Sequence, residues 1–175
     1  MATQTINYGA TTQITMNLSG LASSATWVAG RESNEIDNTT NKFVDALVQG
    51  SISVGTSPTA NTVINVFVYG SDTSLTTSPI DVFDGVDSAE TIASGAGSAT
   101  GILYSMFRLG AAINVLSTTS DAAYPVAPFS IAQLFGGVMP KYWGLYVAHN
   151  TGQNLRADAV NTNSFDFVGI KYDVA

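Results

Sequence analysis

The stretch Lys141 to Ala148, KYWGLYVA, constrains the fold of this chain more than any other. Trp143, Leu145 and Val147 alternate with Tyr142, Gly144, Tyr146 and Ala148, the period of a strand whose successive side chains point to opposite faces. Both faces are apolar. Such a strand needs a cover on each side, one from its own core and one from a neighbouring element or a partner subunit. Its flanks are equally well marked. Ser130 caps a short helical turn in which Ile131, Leu134 and Phe135 share a side. Gly136 and Gly137 end that turn, Pro140 holds the next residues extended, and Asn150-Thr151-Gly152 turns the chain afterwards. The whole segment Ser130 to Gly152 reads as a structural keystone and not as a reaction centre.

Strands are predicted on both sides of it. Thr12 to Leu18 alternates Ile14, Met16 and Leu18 with Gln13, Thr15 and Asn17, and Ser19-Gly20 turns it. Ala25 to Ala29 is a short apolar piece centred on Trp27 and Val28. Phe43 to Val48 continues into Ile52 to Val54, with Gly50 marking a bulge. After the turn Gly55-Thr56-Ser57-Pro58, Thr62 to Tyr69 alternates most clearly of all. Ile102 to Leu116 suits a helix or a strand; Gly110 and the strands around it favour strand. Tyr124 to Pro128 is extended, and its prolines place it at a sheet edge or end. Leu155 to Ala159 is a short strand, and Phe165 to Tyr172 a final one in which Gly169 marks a change of phase.

Three segments lack such patterns. Residues 1–10 read as a polar arm, free or laid on a neighbour. Gly30 to Lys42, GRESNEIDNTTNK, reads as a solvated loop. Residues 70–101 read as a long polar loop with at most one short strand near Thr91-Ile92-Ala93. About eight short strands joined by turns predict an all-β chain, an antiparallel β-sandwich over residues 11–175 with one short helical turn.

Charge narrows the partners. Only 11% of the residues are charged, against about 25% in an average soluble protein. The net charge is −7, and the six basic residues are scattered singly. Without a Lys/Arg cluster to neutralise phosphates, neither nucleic acid nor an anionic membrane is an expected partner. The amino-terminal sequence has neither the basic start nor the apolar run of a secretory signal, and no apolar run approaches the ~20 residues that span a bilayer. A weakly charged surface repels its own copies little, which suits a protein that lives packed against others. There are no cysteines, hence no disulfide or thiolate metal site.

No constellation points to chemistry. The run Asp81 to Glu90 holds carboxylates, but not at the alternating positions of a calcium loop, and a solvated Asp-Gly turn accounts for it; no metal or cofactor is expected. Gly95 to Gly101 matches neither phosphate-binding glycine pattern. His149 is the only histidine, no G-x-S-x-G elbow accompanies it, and its place at a strand end suits a turn cap. The chain is therefore not expected to be an enzyme. Trp27, Tyr142 and Tyr146 are candidates for an exposed aromatic contact surface, whereas Trp143 belongs to the core. Arg31 and Glu32, beside Trp27, add a second candidate contact.

Trp27 to Ser33, Asp37-Asn38-Thr39 with Asn41-Lys42, and Leu134 to Gly137 with Pro140-Lys141 and Trp143 to Leu145 resemble small structural proteins of tailed bacteriophages. The likeness runs from about Thr12 to Tyr172. Its nearest role is a capsid decoration, or cement, protein. The resemblance implies a jelly-roll-like sandwich, a homo-oligomer (a trimer), the major capsid protein as partner, and a place on the outer surface of the virion. It brings no catalytic residues. The rival expectation is a carbohydrate- or receptor-binding β-sandwich of a fibre or tail.

Overall fold

The computed structural model describes residues 3–92, 107–157 and 163–174. Among these the strands are β1 (Gln4–Ile14), β2 (Ala29–Glu32), β3 (Ile36–Asp37), β4 (Asp45–Ser53), β5 (Thr62–Ser71), β6 (Ser88–Thr91), β7 (Phe107–Val115), β8 (Ala123–Ser130), β9 (Tyr142–His149) and β10 (Ser164–Val174), with one helical turn, α1 (Ile131–Leu134). They form two antiparallel sheets packed together, as the turn-separated period-two segments lead one to expect. One sheet runs β1-β10-β4-β8; the other runs β6-β2-β9-β5-β7, and β3 pairs β9 beyond β2.

The pairings nest. β1 pairs β10, β2 and β3 pair β9, β4 pairs β8, and β5 pairs β7. That is one long hairpin, and rolling it up adds the β10–β4 and β9–β5 ladders. This winding is that of a jelly roll. β6 is an addition, a short strand on the far edge of β2.

Alternation decides what lies between the sheets. Trp143, Leu145 and Val147 of β9 meet Ile64, Val66 and Val68 of β5, Val48 and Ile52 of β4, and Phe165 and Phe167 of β10 in one buried core. α1 closes its end: the Ser130 hydroxyl accepts from the Gln133 amide at 3.0 Å, and Ile131 is fully buried. Gly136 (φ 72°) and Gly137 (φ 88°) stop the turn, the Gly137 amide donating back to the Ala132 carbonyl.

The opposite face of β9 is covered too. Tyr146 and Ala148 belong to a second buried cluster with Tyr69, Leu75, Phe83, Ile92 and Phe107. Leu75, Phe83 and Ile92 come from the excursion of residues 72–92 that leaves the end of β5 and folds back over the sheet. Phe83 is its plug, 5.0 Å from the Phe107 ring and 5.4 Å from the Tyr146 ring between centroids. The expected second cover of the keystone strand is therefore supplied by the chain itself.

Several expectations change. Residues 4–10 are not an arm but the first half of β1, paired with β10. All of Gln4–Tyr8 is exposed, so the backbone ladder and the Asn7 side-chain amide, which donates to the Asp173 carboxylate at 2.6 Å, hold it, and no apolar pattern reports such a ladder. Thr12 is thus already inside a strand that ends at Ile14, though Leu18 still reaches the core. Ala25 to Val28 is a turn and not a strand, and Trp27 takes φ 55°. Gly30 to Lys42 is not a solvated loop: it contains part of β2 and all of β3, with Glu32, Ser33 and Asn38 buried. Gly169 brings no phase change. It stays on the buried side with Phe165 and Phe167 and lies under the Phe43 ring, 2.5 Å from where a Cβ would sit. The Gly50 bulge is present as a register shift between Val48 and Gly50, and the Pro-containing β8 is an edge strand. Residues 107–115 form a strand, and Leu155 makes one bridge with Val54. Ala93, Gly95 to Gly101, residues 102–106, and 158–159 lie outside the described residues.

Removing the plug tests the second core. Phe83→Ala should lower the unfolding free energy by about 3–5 kcal/mol, the usual cost of emptying a buried phenylalanine site. Equilibrium urea unfolding reads this directly, and a loss below 1 kcal/mol (roughly the value for a surface site) would show that the excursion does not cover β9.

Candidate interaction surface

The charges of the 30–42 segment are clasps that hold the excursion down. Glu32 is buried and accepts from the backbone amides of Gly85 (2.9 Å) and Asp84 (3.3 Å). The Tyr69 hydroxyl donates to the Ser33 carbonyl at 3.4 Å. Glu35 accepts from the Ser74 hydroxyl at 2.6 Å and the Leu75 amide at 2.7 Å. Arg31 Nε meets the Asp87 carboxylate at 2.5 Å, and the Asn34 side-chain oxygen accepts from the Asp87 amide. Burial pushes the Glu32 carboxyl from its ordinary 4.5 up to about 7, against the Tyr69 hydroxyl and the Gly85 and Asp84 amides, which hold it down. Burial likewise raises the Tyr69 and Tyr146 hydroxyls.

This geometry reassigns the candidate contact residues. Tyr146 is not on an outer face: it is fully buried in the second core, pairs in register with Glu32, and donates its hydroxyl to the Val28 carbonyl at 3.1 Å. Glu32 is equally buried and has nothing to offer a partner. Trp27 is half-buried against the same cluster, its indole nitrogen buried without a hydrogen-bond partner among the described residues. Arg31 is partly exposed on β2, between β6 and β9, its guanidinium engaged by Asp87. Tyr142 lies at the other end of β9, half-buried and in register with Asp37 and Ser71. The structure brings Trp27, Glu32 and Tyr146 together under the excursion and leaves Tyr142 apart. The error has one physical source: two-sided apolarity proves a cover without saying whose it is.

His149 is buried as well. Its Nε2 lies 3.0 Å from the Leu21 carbonyl and its Nδ1 2.9 Å from the Thr151 hydroxyl, which donates onward to the Gln153 carbonyl. It ties the turn after β9 to the segment before β2, and burial pushes its pKa below the ordinary histidine value. In the acidic run, Asp87 is committed to Arg31, Asp84 accepts from the Val86 amide, and Glu90 accepts from Ser88. Among the described residues no group of three metal-ligating side chains is assembled.

The surface left open lies elsewhere, on the outer face of the β1-β10-β4-β8 sheet. There Ile6 pairs in register with Tyr172 and Tyr8 with Ile170. Ile6 (59% exposed), Tyr8 (62%) and Tyr172 (52%) form an apolar plate with Val44 beside it. Between this plate and α1 runs a groove of about 760 Å3, rimmed by Ser130, Gln133, Gly136 and Gly137. Among the described residues Asp45 is the one charged residue in its lining, and its carboxylate already accepts from the Ser130 hydroxyl and the Ala132 amide. Sequence reasoning missed this plate because Ile6 and Tyr8 stand as single apolar residues among polar ones, and only their register with Tyr172 and Ile170 joins them. Comparisons with protein-family models, curated proteins and solved structures gave no match.

The Glu32 clasp makes stability depend on pH in a defined sense. A carboxyl whose folded pKa is raised contributes stability that is complete below about pH 4.5 and is lost as pH rises through about 7. His149, with a lowered folded pKa, acts in the other sense and loses stability as pH falls below 6.5. Glu32→Gln should therefore flatten the fall in melting temperature of the native protein between mildly acidic and mildly alkaline buffer. The His149 contribution is common to both proteins and cancels in the comparison. Parallel melting profiles would show that Glu32 does not titrate in that range.

Proposed function

We propose that this chain is a capsid decoration, or cement, protein of a tailed bacteriophage, which binds the outside of the assembled head and stabilises it without doing chemistry. One observation carries the reading furthest. The subunit covers both faces of its central strand from within its own chain, yet leaves an uncharged apolar plate open on the other sheet. Exposed apolar patches of this kind mark surfaces that a neighbour completes. The resemblance of the Trp27–Ser33 and Leu134–Leu145 segments to phage structural proteins supplies the kind of neighbour. The proposed partners are the major capsid protein and further copies of the chain, as a trimer, on the outer surface of the virion.

The mechanism is additive. Each subunit contributes a modest apolar contact, and an oligomer that grips several capsid subunits at once gains avidity beyond any single contact. Rigidity helps, because an element already ordered loses little entropy on binding. The nested ladders and the clasped excursion provide that rigidity. The net charge of −7 and the scattered basic residues agree with a position away from packaged DNA.

A second reading, a carbohydrate- or receptor-binding module of a fibre or tail, is favoured by the exposed Tyr8 and Tyr172 rings with Gln133 on the same groove. The two readings separate cleanly. Purified protein is mixed with heads that lack it, and the bound copies and the temperature of DNA release are measured. Saturable binding with a higher release temperature is expected. Absence of binding to mature heads, together with a specific glycan-array signal, would replace the cement reading by the receptor-binding one.

A further inference from the structure

Beyond the Asp45↔Ile170 pair, β4 no longer accompanies β10. Gln4–Asn7 and Lys171–Val174 therefore run on as a two-stranded ribbon past the body of the sandwich. Among the described residues none covers either face of its β1 half, and Ile6 and Tyr172 sit opposite each other on one face. A two-stranded ribbon alone is marginal in water, so its outer face gains by being covered. The free edge of β1 is also open to a neighbour. Its eleven residues include no charge and no proline, whereas the edge strand β8 carries Pro125 and Pro128 and the edge strand β6 is four residues long with Glu90 in it. Prolines, charges and shortness are the devices that keep sheet edges from pairing. β1 has only its bulge between Tyr8 and Thr11.

We infer that the ribbon face, Ile6, Tyr8 and Tyr172 with Val44, is the surface through which copies of this chain bind one another. Charge selects the occupant. Each subunit carries a net charge of −7, so two copies meet at least electrostatic cost where neither presents charge. The plate and its groove are such a place: among the described residues Asp45 is the one charged lining residue and is turned to internal hydrogen bonds. A basic partner would be drawn instead to the acidic remainder. Four large side chains, 41% to 62% exposed, present on the order of 400 Å2, about half of the ~800 Å2 per side of a standard interface, so the remainder must come from around them. The groove rim at Gln133, Gly136 and Gly137 supplies further contact. This inference deepens the reading of the chain as an assembling virion protein by naming the occupant of its open face.

The test is the mass in solution of the full chain, by light scattering after size exclusion and by sedimentation velocity across micromolar concentrations. The native protein should be an oligomer. Tyr172→Asp and Ile6→Asp should each give monomers with the far-UV spectrum of the native protein. The milder Tyr172→Ser should weaken self-association at least tenfold, which keeps the test valid if the charged variants misfold. Leu116→Asp, which places the same charge on a residue 72% exposed outside this groove, should leave the oligomer unchanged. A native protein that is monomeric throughout, or plate variants that keep the native mass, would overturn the inference. Loss of head binding by plate variants of a monomeric native protein would assign the plate to the capsid and overturn it too. An oligomer that depends on the plate but does not bind heads would sustain the inference and defeat the cement reading.

Discussion

Burial of both faces of β9 is the constraint on which the rest of the structure depends. A strand carrying Trp143, Leu145 and Val147 on one side and Tyr146 and Ala148 on the other cannot stand at a water-facing surface. The rolled hairpin satisfies one side by laying the smaller sheet against it. The other side requires a second layer, and the chain provides it by interrupting the β5–β7 hairpin with the 72–92 excursion. Apolar anchors in that excursion are few, so Phe83 takes a central place, touching Tyr69, Phe107 and Tyr146 at once. The remainder of the excursion is polar and cannot be held by burial alone. Glu32 and Glu35 of the β2–β3 segment hold it instead, through the backbone amides of Leu75, Asp84 and Gly85.

This use of charge explains a composition that first suggests only a bland surface. With 11% charged residues, the chain spends several of them inside or at the margin of its second core: Glu32, Glu35, Arg31 and Asp87. A buried carboxylate with amide donors is tolerable where an unpaired one would be costly. Its desolvation still shows in the upward shift of the Glu32 pKa. The same crowding accounts for two glycines of the large sheet. A Cβ on Gly144 would fall 2.2 Å from the Tyr69 hydroxyl, and one on Gly30 would fall 2.6 Å from the Tyr146 ring. Each glycine is the space in which a clasping tyrosine lies, so the second core depends on absent side chains as well as present ones.

Among the described residues the smaller sheet carries no comparable layer over the plate. Its outer face ends in the β1–β10 ribbon, where the ladder outruns the packing. A subunit that covers both faces of β9 from within and leaves an uncharged apolar plate on the smaller sheet has a defined polarity. Whatever completes the open side meets a preformed surface of strands, not a segment that must order on contact. The amino-terminal residues, polar enough to suggest an arm, are part of that surface.

Much of the architecture was legible in the amino-acid order. Alternation in Thr62 to Tyr69 and Lys141 to Ala148, prolines in β8, the Gly50 bulge and the Ser130 cap report local geometry, and local geometry follows from nearest neighbours along the chain. The candidate contact residues were not legible. Tyr146 and Glu32 sit in patterns that demand a cover or a partner, and the identity of that cover depends on Phe83, which lies far from both along the chain. Ile6 and Tyr172 become one surface only because β1 and β10 pair in a particular register. Periodicity along a strand determines which side chains share a face; only the pairing of distant strands decided which face was sealed from within and which was left open.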